Sequence, residues 1–130
     1  MRKYLFVVGF SFIIVMSSVL ANGALDNIKH LLLFDNTKIN IARGLESFKG
    51  QRVTGYGFVK SISMDMNEKY FCYIYTDKDK QESIDILLFF RKSGYKRFKG
   101  KFNPGDEVFF SGKVDDIKMD MLVLTRGNLK

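Results

Sequence analysis

Between Arg52 and Thr125 the chain is built from short runs of β-branched and aromatic residues, each bounded by Gly, Asp, Asn or Pro. That texture constrains the fold more than any other feature, because it fits strands punctuated by turns and leaves little room for long helices. Five runs satisfy it, over residues 52–64, 69–76, 83–91, 107–115 and 118–125. The period of two then assigns faces. In the third run Ile84, Ile86, Leu88 and Phe90 fall on one side, the expected core face, with Ser83, Asp85, Leu87, Phe89 and Arg91 on the other. In the second, Tyr70, Cys72 and Ile74 share one side, while Phe71, Tyr73 and Tyr75 share the opposite one. Both sides are apolar, so this strand is either central or carries a binding surface. Gly55 and Gly57 remove side chains from a long first strand where a barrel has to coil sharply. Asn103-Pro104-Gly105-Asp106 is a strong turn before the fourth strand, and Asp115-Asp116 reads as hairpin chemistry before the fifth.

Ahead of the strands, Arg2 and Lys3 precede an apolar run from Leu5 to Val15, and Ser17, Ser18, Val19 and Ala21 close it. This is the layout of a signal peptide cleaved after Ala21, which predicts a secreted or periplasmic protein. The rival is an uncleaved anchor, since the apolar stretch approaches the roughly 17-residue lower limit for a membrane span. In that case the signal segment would be the chain's membrane contact. No Cys lies near the cleavage position, which argues against a lipoprotein. Residues 22–50 form a helical segment. Leu25, Ile28, Leu31, Leu32 and Leu33 have helical spacing over 25–34, and a second short turn spans 39–48 before Gly50. Residues 51–130 form the β domain. The mature chain is long enough to bury about two-thirds of its unfolded surface without disulfides. Cys72, the single cysteine, permits no internal disulfide and reads as a core residue.

The order of these elements resembles the OB-fold, a five-stranded Greek-key barrel, here preceded by a short N-terminal helix. The phrases FKGQRVTGYGFVKSIS, residues 48–63, and FNPGDEVFFSGKVDDI, residues 102–117, look like signatures of small bacterial exported OB domains, often grouped as tRNA-anticodon-binding-like. The resemblance covers residues 48–125 and implies a fold more than a function. The segment between the third and fourth strands is short and reads as a basic loop, 91–101, in place of the usual OB helix.

The first reading of function is an exported, non-catalytic adaptor. Phe71, Tyr73, Tyr75 and Phe89 would form an aromatic stripe that contacts a protein partner in the cell envelope. The second is an oligonucleotide or polyanion binder, because OB barrels use the face of strands two and three. Its cations would come from Arg91, Lys92, Lys96, Arg97, Lys99 and Lys101, a run that holds Tyr95 and Phe98 but no acid. Formal net charge is +7, or +5 once Arg2 and Lys3 are removed. Against both readings stands a purely structural one, in which the helix at 25–34 covers the aromatic rings and the basic run is a solvated loop.

A third reading is Cu(I) binding through two Met-x-Met pairs, Met64 with Met66 and Met119 with Met121, whose thioethers would alternate on a strand face. No Trp is present, and the only histidine, His30, lies in the N-terminal helix. No other cofactor is expected. One His and one Cys at no recognisable spacing give nucleophilic catalysis no footing, and no Gly-rich phosphate loop is present.

Overall fold

The computed structural model describes residues 23–34 and 38–130, so the signal-peptide reading lies outside the described residues. Helix α1 spans 23–34 and α2 Lys38–Glu46. They are followed by β1 (Arg52–Met64), β2 (Tyr70–Tyr75), β3 (Asp85–Phe90), α3 (Lys92–Lys101), β4 (Glu107–Lys118) and β5 (Met121–Leu129). No helix among the described residues is long and apolar enough to cross a membrane.

The strands close into a barrel of order β1-β2-β3-β5-β4, with β3 and β5 parallel and every other pair antiparallel. This is the expected OB-like barrel. Closure depends on β1, whose first half pairs with β4 from Arg52 to Phe58 and whose second half pairs with β2 from Phe58 to Met64. A bulge between Val59 and Ser61 bends the strand at the changeover. The glycines beside the bend admit neighbours as well as curvature. A Cβ at Gly57 would run into Ile74 Cγ2, and one at Gly55 into Leu25 of α1.

Inside the barrel sit Val53, Val59, Cys72, Ile74, Ile86, Leu88, Val108, Phe110, Leu122 and Leu124, the inward residues of all five strands. Helix α1 adds Ala24, Leu25 and Ile28 to the same core, and Lys29 Nζ donates to Asp77 Oδ2 at 2.7 Å, tying the helix to the β2–β3 loop. α1 therefore packs at Gly55 of β1, and Phe71, Tyr73 and Tyr75 remain half-exposed, so the disposition with the helix over those rings is not the one adopted.

Two local expectations are corrected. The basic stretch is helix α3, because Gly94, Phe98 and Phe102 recur every four residues and form one apolar stripe. Phe98 is buried edge-on against Phe90 with ring centroids 5.3 Å apart, and Tyr95 meets Tyr70 at 4.9 Å. The hairpin before β5 turns at Met119-Asp120, where φ is 52° and 62°, the backbone of a type I′ turn. Asp115-Asp116 instead falls at a bulge in β4, with Asp116 Oδ1 accepting from the Ile117 N–H at 2.8 Å. The Asn103-Pro104-Gly105-Asp106 turn forms as expected, with Gly105 at φ 91°, the Asp106 N–H donating to the Asn103 carbonyl and Asp106 Oδ2 accepting from the Asn103 N–H.

Candidate ligand-binding face

The outer side of β2 and β3 is where the barrel keeps aromatic surface it does not use inside. Alternation turns Phe71, Tyr73 and Tyr75 outward from β2, and Asp85, Leu87 and Phe89 outward from β3. Register pairs them as Phe71 with Phe89, Tyr73 with Leu87, and Tyr75 with Asp85. The Phe71 and Phe89 rings are tilted at 5.9 Å. At the other end Phe58 of β1 stacks on Tyr75 at 5.4 Å.

Two lysines lie over this surface. Lys60, extruded by the β1 bulge, places Nζ 4.7 Å from the centre of the Tyr73 ring, and Lys78 places its own 5.2 Å from that of Phe58. Burial pushes the Tyr73 hydroxyl above its ordinary pKa, and its hydrogen bond to the Asp85 carboxylate and the negative charge there act in the same direction. The phenol therefore stays neutral and donating at physiological pH. Sequence reasoning missed Phe58, Lys60, Lys78 and Leu87. Phe58 had a visible signal, since it alternates with Gly57 and Val59, but the bulge that exposes Lys60 has none.

One cleft, of about 450 Å³, opens on the face itself beside Lys60, Tyr75, Lys78 and Asp85, and two more lie toward the β3–β5 side. Of these two, one, of about 410 Å³, runs from the β1–β2 loop at Glu68 and Lys69 past Leu87 and Phe89 to Lys118, Val123 and Thr125 beside the β4–β5 hairpin. The loop at its near end is held by Asp65, whose side chain accepts from the Asn67 and Lys69 N–H groups at 2.8 and 2.9 Å. The other cleft, of about 340 Å³, lies between α3 and the end of β5 and is lined by Arg91, Arg97 and Arg126 over Phe90 and Phe98. Phe90 lines both.

Of the basic residues singled out in the sequence, Arg91 and Arg97 thus share a cleft. Lys92 and Lys96 are exposed on α3, and Lys99 Nζ donates to the Tyr95 hydroxyl at 2.7 Å. The methionines do not alternate on strand faces: Met64 ends β1, Met66 and Met119 stand exposed in turns, and Met121 begins β5. Among the described residues no group of three or more His, Cys, Asp or Glu is placed to hold a metal. Cys72 is buried on the core side, and burial pushes its thiol up to about 12.

No family model matches the chain, and neither does any curated protein. Solved structures do. A lipoprotein of Klebsiella pneumoniae proposed to bind nucleic acid superposes with a TM-score of 0.55 at 13% identity, over 71% of this chain and 80% of that one. The mitochondrial single-stranded DNA-binding protein of S. cerevisiae aligns with a TM-score of 0.44 at 13% identity, over 62% and 95% of the two chains. The likeness to the lipoprotein is one of fold.

Proposed function

We propose that this protein is a non-catalytic OB-fold binding module, exported by its N-terminal signal, whose outer β2–β3 face takes an extended single-stranded polyanion. One observation carries the reading: the half-exposed rings of Phe58, Phe71, Tyr73, Tyr75 and Phe89 share one face with Lys60 and Lys78 set over them. Flat rings offer stacking surface to unpaired bases at about 1–3 kcal/mol each, and cations at ring height meet the phosphates that accompany those bases. The proposed activity of the Klebsiella lipoprotein agrees with this reading.

A protein partner in the cell envelope is the second reading, favoured by the outward aromatic area itself. The two separate in one experiment. Tyr73→Ala with Phe89→Ala should abolish binding of a labelled single-stranded oligonucleotide while leaving the melting temperature within a few degrees. If poly-glutamate binds the unaltered chain as tightly as the oligonucleotide does, base stacking is not the basis of recognition and charge alone is; if neither binds, the protein-partner reading takes over.

A further inference from the structure

We propose that the cleft lined by Arg91, Arg97 and Arg126 is a phosphate subsite that engages the backbone of a strand continuing beyond the aromatic face. The proposal rests on the polyanion reading above and adds a second contact region to it.

Three arginines line this cleft, and none of its other lining residues, Phe90, Ser93, Gly94, Phe98 and Gly127, is acidic. Among the described residues no ion pair involves any of the three arginines. Their restraints are of other kinds. Arg97 lies over the Phe98 ring at 4.7 Å and donates to Asn128 Oδ1 at 3.4 Å. Arg126 holds a left-handed backbone, φ 50°, which any residue other than glycine adopts at a cost, and its carbonyl accepts a bond from Arg52 at 3.3 Å. Like charges gathered without a counter-ion repel one another, and an anion between them relieves that repulsion. Guanidinium groups suit phosphate oxygens because their forked donors pair with two oxygens at once.

Position links this cleft to the face. Phe90 is shared by this cleft and the one beside the β4–β5 hairpin, Phe89 on the face directly precedes it, and Arg91 directly follows. Thr125 lines the hairpin cleft and its neighbour Arg126 the arginine cleft. On this proposal a strand stacked on Phe71 and Phe89 runs on past Phe90 and brings its next phosphates to the arginines. A short oligonucleotide, filling the rings alone, does not.

The test compares oligo-dT of about 4 and about 16 nucleotides, the range one OB-fold covers, on the full chain and on Arg97→Gln with Arg126→Asn. Asparagine tolerates the left-handed backbone. Each single-strand phosphate contact contributes about 0.7 to the salt slope, so the variant should lose ~1.4 of slope and on the order of tenfold in affinity for the longer strand. Affinity for the shorter strand should be unchanged. Arg97→Lys with Arg126→Lys, which keeps the charge, should restore most of the slope, separating lost charge from disturbed packing. An unchanged slope on the longer strand, or an equal loss on both lengths, would overturn the subsite and leave the face reading intact. No binding of either strand by the unaltered chain would overturn the face reading, and the subsite with it.

Discussion

The inner and outer faces of β2 and β3 are similarly apolar in sequence and differ in use. Inward, Cys72, Ile74, Ile86 and Leu88 are fully buried and share one core with all the other strands and with α1. Outward, Phe71, Tyr73, Tyr75, Leu87 and Phe89 lie half-exposed with Lys60 over Tyr73, and α1, which could have covered them, packs at Gly55 instead. An antiparallel sheet with one wet face ordinarily turns polar residues to water. Here the inner set is buried in the core and the outer set, though largely apolar, stays at the surface.

The sharpest way to break this comparison is to truncate neighbouring leucines on opposite faces. Leu88→Ala should cost about 2–5 kcal/mol, because it opens a cavity in a closed core. Calorimetry should show a fall in melting temperature on the order of 10 °C. Leu87→Ala, facing outward, should cost a small fraction of that. Equal losses would mean the outer face is core in another guise.

Next in size is the aromatic term. Tyr73→Ala should weaken oligonucleotide binding by about 1–3 kcal/mol, read by fluorescence anisotropy, with little change in melting. A large melting change without a binding change would reverse the assignment.

The inner face carries the larger pH signature. Burial pushes the Cys72 thiol from 9.0 up to about 12, so between those values the unfolded chain releases a proton that the folded chain keeps. Its contribution to stability is full below about pH 9 and is lost as pH rises toward 12, by up to about 1.4 kcal/mol per pH unit. Urea titrations at pH 8 and 10.5 should show a larger loss in the unaltered chain than in Cys72→Val. At pH 8 the folded thiol should also resist iodoacetamide.

The smallest effect concerns the β4–β5 hairpin. Met119 is exposed with φ 52°, a conformation that costs a non-glycine residue roughly 1 kcal/mol. Met119→Asn should raise stability by about that much in the same urea titration, since asparagine tolerates the left-handed region better.

The barrel was legible because alternation in 84–90 and the Asn103-Pro104-Gly105-Asp106 turn are local signals that tertiary packing reinforces. α3 was not, because Lys and Arg dominate it and Gly94 and Gly100 lower its helix propensity, while the apolar stripe that defines it needs Phe90 and Tyr70 as partners. The β4–β5 turn was misplaced since Met119-Asp120 lacks the usual glycine and the aspartate doublet nearby imitates a turn. Of the site, Phe71, Tyr73, Tyr75 and Phe89 were visible from period alone. Lys60 and Arg126 were hidden, one by a bulge and the other by a single left-handed residue in a strand.

The most direct test of the central claim is anisotropy of a labelled single-stranded oligonucleotide with the full chain across a salt titration. The account predicts binding near physiological salt that weakens steeply as salt rises, in proportion to the phosphates contacted. Absence of binding, or binding indifferent to salt, would contradict it.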